Sequence, residues 1–164
     1  SPEKLDLRRS GISVRIEMDD AGVAETLERF GERTLPAARR AAGRDAMVAA
    51  LQAAIDANPV DTGRSRSAWV HGLEQLGGAA SPGWNGAASD PQAISDGAAC
   101  GSLSVIETAE QSELAVENAV PYVALLEYGA RGRPPHGMVR RAIDAAADVL
   151  LRRLQDGLTE RRAN

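Results

Sequence analysis

The sequence predicts an α+β domain, with a small, mainly antiparallel sheet of about four strands packed against a long N-terminal helix and a C-terminal helix. Three observations carry that prediction. Residues 11–18, GISVRIEM, alternate strictly and place Ile12, Val14, Ile16 and Met18 on one face, the period of a half-buried strand. Two Ala-rich segments near the ends of the chain repeat apolar residues at helical spacing. Between them lie short alternating runs separated by turns rich in glycine and polar residues.

In chain order, residues 1–10 are polar and read as a flexible arm, leaving 11–160 as one domain. After the first strand, Asp19 and Asp20 can cap a helix and suit its positive end. Its seam is Val23, Leu27, Phe30, Ala37, Ala41, Val48, Leu51 and Ile55, interrupted by Thr34 and Arg44. Pro36 predicts a kink or break near Thr34-Leu35, with Thr34 recapping, and Asn58-Pro59 ends the helix. Asp61-Thr62-Gly63-Arg64 is a turn in which Gly63 supplies the left-handed position. Ser65 to Leu73 alternates and predicts a strand, with Ser67, Trp69, His71 and Leu73 against Arg66, Ala68 and Val70. Residues 75–101 are rich in Gly, Ala, Ser and Pro and read as a loop insertion or long hairpin tip, with Trp84 as an apolar handle that could dock. Leu103–Glu107 and Glu113–Val120 are two further strands. The last helix, Met138–Glu160, presents Val139, Ile143, Ala146, Leu150, Leu154 and Leu158.

The most restrictive local chemistry lies in Ala119–Val139, AVPYVALLEYGARGRPPHGMV. Pro121 can end a strand and open a helical turn, placing Tyr122, Leu125 and Leu126 on one face of a short helix. Gly129 stops that helix with a positive φ. Arg131-Gly132-Arg133-Pro134-Pro135 reads as an extended arm, since each proline disfavours the α region for the residue before it. A strand, a tight corner, an arginine-bearing arm and a helix make a docking element rather than a catalytic centre.

Composition narrows the function classes. Aromatic residues are only 3% of the 164, so aliphatic and alanine contacts must carry the core, and association between subunits would help. The single Cys100 excludes an internal disulfide. No apolar run approaches the ~20 residues needed to cross a bilayer, and no signal peptide is evident, so the expectation is a soluble chain made in the cytoplasm with no membrane partner. A net charge of −4 argues against a dedicated nucleic-acid binder. The charge is polarised, however: residues 67–130 carry eight acids and no Lys or Arg, whereas 131–164 carry eight arginines against four acids. Such polarity suits head-to-tail association, although patches of this size are also ordinary.

Catalytic motifs are not assembled. His71 and His136 have no second ligand at metal spacing. Asp61-Thr62-Gly63 resembles the triplet of aspartic proteases, but those sites need two converging carboxylates and no second copy occurs. Cys100 has no nearby histidine, and no phosphate-binding glycine motif is present. Glu127 could act as a general base, but more simply it pairs with an arginine of the adjacent arm, Arg131 or Arg133, or with Arg64 or Arg66 across the turn. The expectation is a non-enzyme with no cofactor and no metal.

Tyr122-x4-Glu127-Tyr128-Gly129, followed by Pro134-Pro135-His136-Gly137-Met138 and an Ala-rich helix, resembles phage tail-completion proteins. These are the small neck or head–tail joining proteins of long-tailed phages and prophages, also described as minor tail or minor capsid proteins. Pro59-Val60-Asp61-Thr62-Gly63-Arg64-Ser65-Arg66-Ser67 is similar to that family's Pro-Val-Asp-Thr-Gly-x-Leu-Arg segment at the end of its long helix. The resemblance covers roughly residues 12–160, with both blocks in the same order and at similar spacing. The family more often has threonine where Ala130 stands and phenylalanine where this chain has His136-Gly137, departures that bear on the arm more than on the fold.

The resemblance implies a structural virion protein: a homo-oligomeric ring, of six copies, joining the tail tube to the head connector of a phage, prophage or gene-transfer particle. Its partners would be itself, the connector or adaptor protein, and the tail terminator or tail-tube protein. Genome DNA passing through the lumen would be met only transiently, and assembly would take place in the host cytoplasm before incorporation into the virion. The expected interface residues are Arg64, Arg66, Trp84, Glu127, Tyr128, Arg131, Arg133 and His136. The alternative is a small nucleic-acid-binding protein using its arginine clusters, favoured if exposed arginines lack acidic partners. A hydrolase ranks third and requires His71 or His136 to converge with Asp61 or Glu127.

Overall fold

Strict alternation builds the first strand as expected. In β1 (Ile12–Asp19), Ile12, Val14 and Ile16 are buried while Ser13, Arg15 and Glu17 face outward. The computed structural model describes residues 11–19, 35–60, 63–80 and 90–162. The arm at 1–10, the early seam of Val23, Leu27 and Phe30, the expected kink and capping at Asp20 and Thr34, and Trp84 all lie outside the described residues. So do Asp61-Thr62 and the side chains of Leu154 and Leu158.

β2 (Gly101–Glu107) and β3 (Gln111–Asn118) form a hairpin close to the predicted strands. Thr108 closes it: its N–H donates to the Gln111 carbonyl at 2.8 Å, and its hydroxyl accepts from Gln111 N–H at 3.0 Å. β3 is central in the order β1-β3-β2, and both pairings are antiparallel. Val116 sits opposite Val14 on one side and Leu103 on the other, so these residues share the face that meets the helices. The opposite face is polar and bears Arg15, which pairs with Glu17 at 3.5 Å and Glu113 at 3.6 Å.

The sheet has three described strands, and the predicted strand at Ser65–Leu73 is instead the helix α2 (Arg64–Gln75). Residues 65–73 fit both periods, but the helical one buries more. Trp69 and Leu73 are fully buried, Ala68 lies against Gly101 of β2, and Gly72 lets the helix approach β3 closely. A Cβ at Gly72 would come within 2.9 Å of Val116. Gly63 precedes α2 with φ 88°, the left-handed position that the turn requires.

The loop expected over 75–101 also contains a helix, α3 (Pro91–Ala99). Asp90 caps it by accepting from Gln92 N–H at 3.0 Å, and Pro91 occupies the first turn, where a missing N–H costs nothing. α3 packs against α2 through Gly97, whose missing side chain leaves room for the Arg64 carbonyl and the Ser67 hydroxyl.

Before these comes α1 (Leu35–Ala57), which buries Ala46, Met47, Ala50, Leu51, Ala54 and Ile55. Ala37 and Ala41, assigned to its seam by spacing, are exposed. α4 (Val123–Tyr128) is the expected short helix, and α5 (Met138–Arg162) runs along α1 in the most extensive packing of the domain. α5 buries Met138, Ala142 and Ala146, whereas Ile143 is 53% exposed, so its apolar face is rotated from the predicted one. Alanines on both α1 and α5 permit close approach, which a bulky Ile143 seam would prevent. The result is two layers, with helices over one face of the sheet.

Candidate interaction surface

The site is built on a polar junction where α1, α2 and β3 end or begin together. Asn58, just past α1, donates to Ser65 Oγ and to the Pro59 carbonyl, each at 2.8 Å. Its Oδ1 accepts from the Trp69 indole at 3.2 Å. Asn118, the last residue of β3, donates to the Ser65 carbonyl at 2.7 Å and accepts from Val120 N–H at 3.1 Å. Both asparagines are buried, so these bonds satisfy groups that would otherwise be costly. The start of α2 is thereby tied to the exit of β3.

From that base the chain turns through Pro121 and Tyr122 into α4. Tyr122 was expected on the helix face with Leu125 and Leu126. Instead it precedes the helix, at φ 71°, with its side chain 57% exposed. It is the one positive-φ residue other than glycine among the described residues, a conformation that an aromatic residue adopts only when its surroundings impose it. The imposing bonds are Val123 N–H to the Val120 carbonyl at 3.2 Å and Leu125 N–H to the Tyr122 carbonyl at 3.0 Å.

α4 ends at Gly129, with φ 83°. A Cβ there would lie 3.0 Å from both the Arg133 carbonyl oxygen and Pro135 N, so glycine is required on conformation and on space. The expected extended arm is instead a closed turn. Ala130 N–H donates to the Arg133 carbonyl at 3.1 Å and Arg133 N–H returns to the Ala130 carbonyl at 2.8 Å, with Gly132 at φ 73° between them. The prolines extend only the descending limb. The excursion is pinned at its base, where His136 N–H donates to the Leu126 carbonyl at 2.8 Å and Gly137 N–H to the Glu127 carbonyl at 3.3 Å. Arg131 and Arg133 therefore stand exposed on a short tip above a fixed base.

Glu127 takes a different role from the one expected. It is 5% exposed and pairs with none of Arg64, Arg66, Arg131 and Arg133. Its carboxylate accepts from Val139 N–H at 2.9 Å and Arg140 N–H at 3.4 Å, so it caps the start of α5 and complements the positive end of that helix. Arg64 pairs with Asp96 of α3 at 3.8 Å, with both side chains about half exposed. Arg66 is half-buried, and burial holds its guanidinium below the ordinary pKa against the opposing pull of Asp56. Tyr128 is 66% exposed, beside the tip in sequence, and His136 is half-buried at its base.

No family model, no curated protein and no solved structure matches the chain. The surface must therefore be judged on its own chemistry. Of the residues singled out by sequence, the fold brings Tyr128, Arg131, Arg133 and His136 to one corner, puts Glu127 beneath them, and attaches Arg64 to α3 instead. Among the described residues, no group of three or more His, Cys, Asp or Glu side chains is close enough to hold a metal ion.

Sequence reasoning missed Arg39. It is 1% exposed on α1 and reaches the β2–β3 turn, donating from Nε to Ser112 Oγ at 2.8 Å and from a terminal nitrogen to the Thr108 carbonyl at 2.8 Å. Ser112 in turn donates to Glu107 at 2.5 Å. Its position was the available signal: Arg39, Gly43, Ala46, Met47 and Ala50 share one helical face, all buried.

Proposed function

We propose that this chain is a structural component of a phage or phage-like particle, a neck protein whose copies form a ring between tail tube and head connector. One feature of the corner supports that reading above the others: two arginines are held exposed on a turn whose base is fixed by backbone hydrogen bonds, with the exposed Tyr128 at the end of the helix that leads into it. Arginine and tyrosine contribute disproportionately at protein interfaces, and a preformed element loses little freedom when it docks. The sequence blocks resembling tail-completion proteins fall at the same corner and at the α1–α2 junction beneath it. Acidic surfaces of a neighbouring copy or connector would meet the tip, giving register and encounter rate more than affinity.

The test is genetic. Deleting the gene from its source genome and imaging lysates by negative-stain electron microscopy should yield filled heads and free tails in place of joined particles. Joined particles at normal yield would overturn the neck reading.

A second reading has one observation in its favour. Arg131, Arg133, Arg140 and Arg141 are all exposed, and their side chains make no ion pair among the described residues. Cations arranged in this way can follow a phosphate backbone without reading sequence. Fluorescence anisotropy with duplex DNA across a salt series separates the two: tight binding with a steep salt slope belongs to a nucleic-acid binder, and weak binding to a neck protein.

A further inference from the structure

The two edges of the sheet differ. β1 carries Arg15, Glu17 and Asp19, charged side chains of the kind that discourage edge-to-edge pairing. β2, on the other edge, runs uncharged from Gly101 to Ile106, and its single charged residue, Glu107, is already paired with Arg40 at 3.5 Å. It also leaves Val105 48% and Ile106 52% exposed, adjacent apolar side chains on opposite faces of one edge strand.

The hydrogen-bond parity of β2 fixes what its open side offers. Ala119 N–H donates to the Cys100 carbonyl at 2.9 Å and Thr108 N–H to the Gln111 carbonyl at 2.8 Å, and both pairs continue the β2–β3 register. Even-numbered residues of β2 therefore bond to β3, while Leu103, Val105 and the terminal Gly101 and Glu107 turn their N–H and C=O groups to the other edge, which is open among the described residues. Such a row is a template for another strand.

We infer that β2 pairs antiparallel with β2 of a second copy, centred on Ser104, to give a continuous six-stranded sheet in a two-fold dimer. The register is self-complementary. With Ser104 facing Ser104 of the second copy, Leu103 meets Val105 and Gly101 meets Glu107, so every edge-facing residue finds an edge-facing partner. No like charges stand opposite one another, and Val105 gains an apolar neighbour in Leu103 of the other chain. A seven-residue edge is small beside the roughly 20–30 residues per side of a standard interface, so the dimer should be weak and concentration-dependent. The inference does not rest on the neck reading, because a head-to-tail ring uses two different surfaces of each copy whereas this contact uses one surface twice.

The register gives a specific test. At the centre, Ser104 and its counterpart form a non-hydrogen-bonded pair with Cα atoms about 4.5 Å apart, within the range of about 4.4–6.8 Å that a disulfide spans. In a Cys100→Ser background, Ser104→Cys should cross-link into dimers under mild oxidation, whereas Ser102→Cys, displaced from its own counterpart, should not. Sedimentation of the unmodified protein should show a monomer–dimer equilibrium, and Val105→Pro should weaken it at least about tenfold. That proline removes an N–H that faces the open edge, not one that bonds β3. Val105→Lys should give the same loss and serves if the proline variant does not fold. A protein monomeric at all concentrations, or cross-linking equally efficient at 102 and 104, would overturn the proposal.

Discussion

Asn118 and Arg131 lie thirteen positions apart on the same corner and have opposite fates. Asn118 is fully buried at the exit of β3, where its amide bridges the Ser65 carbonyl and Val120 N–H. Arg131 stands in solvent on the turn closed by Ala130 and Arg133, with no partner in its own chain among the described residues. The difference separates two jobs that sequence alone leaves mixed. Polar residues at the base hold the fold and would be missed as soon as they are removed. Those at the tip cost the folded chain little to lose, and the proposed function gives them a role in contacts outside it.

The sharpest way to break the base is Gly129→Val. A β-branched side chain resists φ 83°, and its Cβ would press on the Arg133 carbonyl and Pro135. The combined strain should cost about 3 kcal/mol or more, visible as a large fall in the midpoint of chemical denaturation. Asn118→Ala comes next. It leaves the Ser65 carbonyl and Val120 N–H without their buried partner and should cost about 2–3 kcal/mol by the same measurement. Glu127→Gln is smaller, at about 1–2 kcal/mol, because the amide keeps one acceptor for the first turn of α5 but loses the charge that suits it. If Glu127→Gln were silent, the carboxylate would not be capping α5, and the boundary between base and tip would need redrawing.

The sequence made much of this fold legible, for identifiable reasons. β1 alternates without a break, the β2–β3 hairpin has two alternating runs around a polar turn, and Gly129 has both a positive φ and no room for a side chain. α2 was misread because Ser67, Trp69, His71 and Leu73 alternate as well as they repeat. The deciding feature was Gly72, whose use in a close helix–sheet contact depends on β3, forty-four residues later at Val116. α3 was hidden by an Ala- and Gly-rich composition, although Asp90-Pro91 is a helix-start pair that could have revealed it. At the corner, the turn glycine and the exposed arginines were readable. The capping role of Glu127 was not, since an acid four residues before Arg131 looks equally ready for an arginine until the path of the chain brings Val139 N–H to it.

The division between base and tip is tested most directly by Arg131→Glu with Arg133→Glu, measured for both stability and assembly. Both side chains are exposed, so the thermal midpoint should move by no more than a degree or two, equivalent to under ~0.5 kcal/mol. The same double variant, placed in the source genome, should lose head–tail joining, leaving heads and tails apart in electron micrographs. A variant that melts well below the parent, or one that joins heads to tails at the parent's yield, would contradict the assignment of this tip to assembly.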